Sequence, residues 1–169
     1  MSADEILDVV DEEDEVVGQL PRGEIYARKL IHRCVFVLVR DGAGRIFVHR
    51  RTDGKLTYPG RYDMFVGGVV GAGESYDDAA AREAAEELGV SMVDSPRFLF
   101  RFAYRDQTYG SWWSAVYELR HDGPVRPQES EIAWHVWVAS DELDRMRATL
   151  PWTPDGAEAY ELLLARSGS

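Results

Sequence analysis

The sequence predicts a single domain of the α+β class, built on a mixed β-sheet with a few helices. Apolar, β-branched and aromatic runs alternate with turn signals and helical stretches, without the regular strand-helix rhythm of a doubly wound fold. The 169 residues are also 45% hydrophobic and 29% charged. That length and composition suit one compact domain, residues 1–169, with a sizeable core.

The first part of the chain predicts strands joined by turns. The apolar pair at residues 16–17 predicts a short strand or hairpin, and the glycines and proline of residues 18–23 predict a turn after it. Residues 34–39, CVFVLV, predict a buried strand because the run is continuously apolar and rich in β-branched side chains. A turn at residues 41–44 and the run RIFVHR at residues 45–50 complete a predicted β-hairpin.

The rest of the chain predicts a broken strand, three helices and three further strands. Residues 64–70 predict a strand interrupted by Gly67 and Gly68, after a loop with Gly54, Pro59 and Gly60. The central helix is predicted to end at Gly89, a usual C-terminal signal, and Ser140 is predicted to cap the next helix. The predicted helices are residues 74–88, 140–146 and 156–165, and the strands are residues 98–104, 112–119 and 132–138.

Charge and cysteine content exclude several functional classes. The net charge of -11 argues against nonspecific nucleic-acid binding and against attachment to an anionic membrane. It does not exclude a phosphate ligand, because a bound cation can reverse the local sign of a site. Cys34 is the single cysteine, so no intramolecular disulfide forms. The acidic N-terminus lacks the pattern of a signal peptide, and no apolar run is long enough to span a membrane, which predicts a cytoplasmic protein.

Three glutamates fall close together near the end of the central predicted helix. Glu83, Glu86 and Glu87 share one face, where like charges repel and oppose the helix dipole, each effect costing about a few tenths of a kcal/mol. A hard divalent cation such as Mg²⁺ would reverse the sign of these terms. The alternative is a solvated face on which Arg82 pairs with Asp78 or Glu86. A neighbouring face is small and apolar and predicts packing: Ala80, Ala84 and Leu88.

The sequence around these glutamates resembles the Nudix box over residues 68–90. Gly68 is followed after five residues by Glu74, after seven more by Arg82-Glu83, and then by Glu86-Glu87 and Gly89. Every fixed position of the pattern is present at the family's spacing, with Ala84 as a small residue at the first aliphatic position. The resemblance implies a Nudix fold, in which a mixed β-sheet lies between helices and a loop-helix-loop motif forms the catalytic site.

The resemblance also implies a reaction and roles for named residues. It implies a hydrolase that uses Mg²⁺ or Mn²⁺ to cleave a diphosphate bond in a nucleoside diphosphate-linked or related small molecule. Arg82 and Glu74 would orient the glutamates, and such supporting groups matter nearly as much as the metal ligands. The implied ligands are Glu83, Glu86, Glu87 and the carbonyl group of Gly67.

A looser similarity links the chain to the isopentenyl diphosphate isomerase-like branch of this superfamily. It is carried by DEEDEVVG near the start, RRTDGKLTYPGRYD and ESEIAWHVWV. Val66 stands where the isomerases have their catalytic cysteine and Gly68 where they have a metal-binding histidine. Because valine cannot transfer a proton, we expect a hydrolase on an isomerase-like scaffold.

The isomerase-like similarity marks residues outside the Nudix box. Arg51 and Lys55 match basic positions that contact the diphosphate, although two surface cations are the alternative. Glu131, and after it Glu129, is a candidate for the general base, alongside a glutamate of the box. His32 matches a metal position, but a strand-edge histidine with a hydrogen-bond partner is the expectation, since the other histidines of that metal site are missing.

Two alternatives to the hydrolase stay open. One is isomerisation of isopentenyl diphosphate, and the other is a non-catalytic Nudix domain that binds a nucleotide or a protein. The expected partner is a small-molecule diphosphate, with neither nucleic acid nor membrane. Some Nudix proteins dimerise, so a homodimer is also open. Residues 1–31 are expected to be an N-terminal extension that packs on the domain.

Overall fold

The computed structural model describes residues 3–167 and contains nine strands and four helices in that range. The strands are β1 (Ile6–Val10), β2 (Val16–Pro21), β3 (His32–Arg40), β4 (Ile46–Arg51), β5 (Tyr62–Asp63), β6 (Val66–Val69), β7 (Arg97–Asp106), β8 (Gly110–Arg120) and β9 (Ile132–Val138). The helices are α1 (Arg22–Ala27), α2 (Tyr76–Leu88), α3 (Ser140–Arg147) and α4 (Pro154–Ser167).

The main sheet is mixed and is centred on β3. Its strand order is β5-β4-β3-β8-β7, with β6 also paired to β3 and β9 paired to β4. The β3–β8 pair is parallel, and the other pairs are antiparallel. The predicted hairpin of residues 34–50 exists only at its closed end, where Arg40 pairs with Ile46. Beyond that point β3 pairs with β6 and β4 pairs with β9, so the two strands diverge and leave room for a pocket.

Side chains of β3 alternate between two apolar cores, because successive residues of a strand point to opposite faces. Val35, Val37 and Val39 pack with the alanines of α2 on one face. On the other face, Cys34, Phe36 and Leu38 pack with residues of α3 and α4. The predicted arrangement of a mixed sheet between helices is therefore confirmed. The predicted packing face of the central helix is confirmed as well, since Ala80, Ala84 and Leu88 are fully buried.

Several local predictions are corrected by the structure. The turn expected at residues 18–23 is not present as such: residues 18–21 belong to strand β2, and residues 22–23 begin the short helix α1. Gly67 and Gly68 do not break their strand but lie inside β6, where they pair with β3. Helix α2 begins at Tyr76, after the cap Ser75, whose hydroxyl accepts from the Asp78 amide, so Glu74 precedes the helix. Ser140 is the first residue of α3, and the capping position is Ala139, whose side chain makes no hydrogen bond.

The N-terminal hairpin β1–β2 contacts the segment that leads into α2. Leu7 pairs with Gly71, and the Ala72 amide donates to the Ile6 carbonyl at 3.0 Å. At the hairpin turn, Asp14 accepts hydrogen bonds from Arg33, Tyr76 and Arg101. The hairpin therefore contacts both the start of α2 and the main sheet.

Substitution of Gly89 is expected to destabilise the fold more than the same change at Gly73. Both glycines have left-handed backbone angles, with φ of 69° and 76°, so alanine costs about 1–2 kcal/mol at either position. A methyl group on Gly89 would in addition overlap the Arg126 carbonyl, whereas nothing lies within 4 Å of one on Gly73. Urea denaturation of Gly89→Ala and Gly73→Ala measures the difference. Equal losses of unfolding free energy would show that the Arg126 segment moves aside freely.

Candidate functional site

Two glutamates of α2 are buried against the glycine pair of β6. Glu83 and Glu87 are 4% and 3% exposed, which is rare for this side chain unless a partner compensates the charge. The Gly67 amide donates to Glu87 Oε2 at 2.6 Å. A Cβ atom on Gly68 would lie 2.8 Å from the carboxylate of Glu83. The glycines therefore leave the space that these carboxylates occupy.

The electrostatics of this pair favour a cation. Burial raises the pKa of Glu83 and of Glu87 above the ordinary range, and the charge of each adjoining glutamate raises it further. The charge of Arg82 opposes the rise at Glu83, and Lys55 opposes it at both. Burying carboxylates side by side is unfavourable, and a hard cation with oxygen ligands offsets that cost. The donor set therefore fits Mg²⁺ or Mn²⁺.

Arg82 connects the loop before α2 to the glutamates. Its guanidinium donates to both carboxylate oxygens of Glu74 at 2.7 and 2.8 Å, and to Glu83 at 2.9 Å. Glu86 lies 3.4 Å from the same guanidinium, and its side chain is 48% exposed. Within residues 3–167, no three acidic, histidine or cysteine side chains are grouped closely enough to hold a metal ion together. Glu83 and Glu87 converge, while Glu86 lies beside Arg82.

The end of β4 and the loop after it place two cations near the glutamates. Arg51 donates to the Thr57 carbonyl at 2.8 and 3.1 Å. Lys55 forms a buried ion pair with Glu131, and the Thr52 amide donates to the Glu131 carbonyl at 3.2 Å. The positive charges of Lys55 and Arg51 both lower the pKa of Glu87. The end of β4 and the loop after it thus hold two positive charges beside the carboxylates.

A pocket of about 50 Å³ opens between β3, β4, β6 and the start of α4. Glu87, Arg51 and Lys55 line it together with Gly67 and Gly68. The other polar lining side chains are Arg22, Tyr26, His32, His49, Thr57, Tyr58, Asp63, Trp112, Thr153 and Asp155. The pocket therefore contains residues that were predicted for catalysis and substrate binding, together with a second set of polar side chains that the sequence did not single out.

Asp63 and Asp155 form a buried acidic pair in this pocket. They are 6% and 8% exposed. Burial and the charge of Asp155 raise the pKa of Asp63 to about 7. Burial raises the pKa of Asp155 to about 6, although the charge of Arg51 opposes the rise. The two acids are therefore close enough to interact, and each has a cation nearby.

A family model described as the NUDIX domain matches residues 30–163, which include α2 and every residue of the Nudix box. The chain belongs to the Nudix hydrolase family. It is an enzyme of the hydrolase type, and the Nudix family generally uses divalent metal ions and acts on small molecules of the pyrophosphate type. The resemblance of residues 68–90 to the Nudix box is thus confirmed at the level of the family.

Similar proteins cover almost the whole Nudix chain. An uncharacterised Nudix hydrolase of Streptomyces coelicolor is 60% identical over 99% of this chain and 93% of its own length. One of Pseudomonas aeruginosa is 39% identical over 95% of this chain and 94% of its own. The crystal structure of DR0079 from Deinococcus radiodurans has a TM-score of 0.77 at 36% identity, covering 92% of this chain and 96% of that one. The Nudix fold is therefore confirmed.

The structure brings most of the predicted Nudix site residues together. Glu74, Arg82, Glu83 and Glu86 form one contiguous network, and Glu87 joins Gly67. Arg51, Lys55 and Glu131 lie at the pocket or in contact with it, whereas Glu129 is exposed. Their catalytic, substrate-binding and metal-binding roles stay predictions. Among the described residues, no helix is long and apolar enough to cross a membrane.

His32 differs in part from its expectation. It is 1% exposed rather than at an open strand edge, and its Nδ1 atom has no hydrogen-bond partner. Burial and the charge of Arg22 lower its pKa to about 3, so the ring is neutral. Its ring packs between those of Tyr26 and Trp112, with centroids 5.3 and 5.5 Å away.

The sequence did not single out Asp63, Asp155 or His49 as site residues. Asp63 ends the two-residue strand β5, and Asp155 lies in the first turn of α4, where an acidic residue ordinarily stabilises the helix dipole. His49 follows three buried apolar residues along β4 and is itself buried, as a core residue is. No local pattern distinguishes these roles, because only the packing of α4 against β5 brings the three side chains to one pocket.

The acidic pair is expected to make unfolding depend on pH. The folded state raises the pKa of Asp63 from 3.8 to about 7, so it binds the proton more tightly than the unfolded chain does. Stability from this group is therefore present below about pH 4 and is lost as the pH rises towards about 7. Asp63→Asn should remove this loss and raise the unfolding free energy at neutral pH by up to roughly 4 kcal/mol.

Urea denaturation across this pH range, for the wild type and Asp63→Asn, measures the effect. Asp94→Asn is the control, because Asp94 is exposed and its substitution should leave the pH dependence unchanged. Parallel curves for the wild type and Asp63→Asn would show that Asp63 ionises as readily in the fold as in the unfolded chain.

Proposed function

We propose that the protein is a divalent-metal-dependent hydrolase that cleaves the P–O–P bond of a nucleoside diphosphate-linked or related small molecule. The observation that carries the proposal is the burial of Glu83 and Glu87 beside a pocket lined by Arg51 and Lys55. Carboxylates suit a cation, and the cationic side chains suit the phosphates that such a cation also binds. The carboxylates that suit a metal ion and the cations that suit a diphosphate therefore lie at one pocket.

Mg²⁺ or Mn²⁺ would be held by Glu83, Glu86, Glu87 and the carbonyl group of Gly67. Once bound, such an ion supplies charge neutralisation on phosphoryl oxygens and activation of a water molecule. Glu86 is half-exposed beside Arg82, so its side chain is free to reorient when an ion binds. The Gly67 amide holds Glu87 in place, and Arg82 holds Glu83.

The chain's own residues supply orientation and proton transfer. Arg82 and Glu74 fix the position of Glu83 from outside the pocket. Lys55 pairs with Glu131 in the free protein, and a substrate phosphate would compete for that lysine. Glu131 would then be released as the base that accepts the proton of the attacking water, with a buried glutamate of α2 as the alternative. Arg51 would neutralise phosphate charge at the transition state.

The isomerase-like scaffold is part of the proposal, but isomerisation is not. Val66 is 1% exposed inside β6, and no proton donor replaces it there. Cys34 is buried on β3, and burial raises the pKa of its thiol far above the usual range. A thiol with such a pKa does not ionise near neutral pH, so it does not substitute for a catalytic cysteine. A non-catalytic Nudix binding domain remains the second alternative.

The remaining expectations accompany the proposed function. We infer a cytoplasmic protein that acts on a small-molecule diphosphate and binds neither nucleic acid nor membrane, given its net charge of -11. A homodimer and the packing of residues 1–31 as an extension of the domain stay predictions.

The test is release of phosphate or nucleotide from a panel of diphosphates, with Mg²⁺, with Mn²⁺ and with a chelator in excess. The panel contains nucleotide sugars, dinucleotides, nucleoside triphosphates, coenzyme A and isopentenyl diphosphate. We expect hydrolysis of at least one compound and its loss with the chelator. Hydrolysis that persists in the chelator would contradict the metal requirement, and isomerised isopentenyl diphosphate would contradict the choice of hydrolysis.

A further inference from the structure

The pocket beside Glu87 carries hydrogen-bonding groups that the proposed hydrolysis does not use. The charge of Arg51 lowers the pKa of both Glu87 and Asp155, so this cation lies within reach of the α2 carboxylates and of the acidic pair. A substrate phosphate at Arg51 would therefore place the next part of the substrate near Asp63 and Asp155. The side chains at that place should determine which substrates are accepted.

His49 presents an unused acceptor in this pocket. Its Nε2 atom lies 2.8 Å from the Phe65 carbonyl, which only accepts, so Nε2 carries the proton and donates. Burial lowers the pKa of His49 to about 3, so the ring is neutral and Nδ1 has a lone pair. His49 is 1% exposed, and Nδ1 has no hydrogen-bond partner. A buried polar atom left unpaired is unfavourable, and a hydrogen-bond donor on the ligand would offset that cost.

The two aspartates add carboxylate acceptors next to His49. Asp63 pairs with His49 across β4 and β5, and its Oδ1 accepts from the Phe65 amide at 2.9 Å. Asp155 Oδ1 accepts from the Gly156 amide at 2.8 Å. Each of these hydrogen bonds involves one oxygen of the carboxyl group, so the other oxygen of each acid keeps acceptor capacity. This side of the pocket is therefore rich in acceptors.

The surroundings define the kind of donor that fits. Arg22, Arg51 and Lys55 line the same pocket as Glu87, Asp63 and Asp155, so the formal charges of the lining balance. Neutral hydroxyl groups donate hydrogen bonds without disturbing that balance. The rings of Tyr58 and Trp112 pack edge to face on each other, with centroids 6.3 Å apart, and add apolar surface to the pocket. The volume of about 50 Å³ restricts the group to a small one.

We propose that this part of the pocket is a specificity subsite for a compact, neutral, hydroxyl-bearing group of the diphosphate substrate, with Asp63, Asp155 and His49 as acceptors for its hydroxyls. The subsite rests on the proposed function, because the cations that bind the diphosphate place the hydroxyl-bearing group. The subsite makes a diphosphate with a hydroxylated ring a better substrate than one with an apolar chain or ring of the same size.

The test uses two diphosphate monoesters with similar rings. Ribose 5-diphosphate carries hydroxyls, and cyclopentylmethyl diphosphate does not. Calorimetric binding to Glu131→Gln with Mg²⁺ measures recognition, because this change removes the proposed base and keeps the glutamates that would hold Mg²⁺. Phosphate release by the wild type measures turnover. We expect about tenfold or more tighter binding of the ribose compound, since two hydrogen bonds of about 0.7 kcal/mol give that factor.

Asp155→Asn and Asp63→Asn, each added to Glu131→Gln, should reduce this preference at least about threefold and leave binding of the cyclopentylmethyl compound unchanged. Asp94→Asn is the matched control and should keep the preference. Equal binding of the two compounds, binding of neither, or a preference that survives both aspartate variants overturns the subsite. Preferential binding of the ribose compound without hydrolysis of any diphosphate keeps the subsite and overturns the proposed function. Turnover of diphosphates without a preference between the two compounds overturns the subsite and keeps the proposed function.

Discussion

Replacing Glu87 by glutamine is expected to reduce diphosphate hydrolysis by at least about a thousandfold, since a bound metal ion supplies several kcal/mol of charge stabilisation. Glutamine has the same shape as glutamate and keeps an oxygen that accepts the 2.6 Å hydrogen bond from the Gly67 amide. It removes the negative charge that would hold the cation. The measurement is kcat/KM with saturating Mg²⁺ on the compound that the panel identifies.

The fold should survive this change, and that separates chemistry from stability. Burial raises the pKa of Glu87, so the ionised carboxylate is unfavourable in the metal-free fold and a neutral amide is tolerated. We expect an unchanged or slightly higher melting temperature without metal, and a smaller stabilisation by Mg²⁺ than in the wild type. Glu142→Gln, on the exposed side of α3, is the matched control for both readouts. Full activity of Glu87→Gln would remove this glutamate from the metal site.

The parts of the site that could be predicted are those whose residues lie close together in the sequence. The α2 glutamates follow the spacing of one helix and a family pattern, and both are present in a short stretch of sequence. The role of Gly68 could be anticipated only as a fixed position, whereas the structure gives the reason: a side chain there would occupy the space of the Glu83 carboxylate. A helix pattern does not report which of its charges become buried.

The acidic pair shows why other parts could not be predicted. Asp63 and Asp155 are 92 positions apart in the sequence. They meet because Tyr62 pairs with Trp152 just before α4 begins, which sets the first turn of that helix over β5. A single sequence without such long-range information offers two ordinary acidic residues. The same reason explains the hairpin error, because tertiary pairing of β3 with β6 and of β4 with β9 outweighed the local turn signal.

The second large effect is expected at Asp14, which connects three parts of the structure through one fully buried carboxylate. Asp14 Oδ1 accepts from Arg33 at 2.7 Å, and Oδ2 accepts from Tyr76 at 2.7 Å and from Arg101 at 2.8 Å. Removing one partner of a buried charged network costs about 3–5 kcal/mol, because the others are left unpaired. We expect Asp14→Asn to lower the unfolding free energy by about 3 kcal/mol, since Arg101 is partly exposed and can be hydrated.

Asparagine is the informative substitution, because the backbone of Asp14 is left-handed, with φ of 64°, and asparagine tolerates that conformation. Asp14→Ala should lose roughly another 1 kcal/mol through backbone strain. Urea denaturation of both variants, with the exposed Asp94→Asn as control, measures the two contributions separately. Because Tyr76 is the first residue of α2, Asp14→Asn should also increase hydrogen exchange of the first turn of that helix. A loss below about 1 kcal/mol would mean that water replaces Asp14 at little cost, and that the hairpin contributes to the position of α2 mainly through its backbone contacts at residues 71–72.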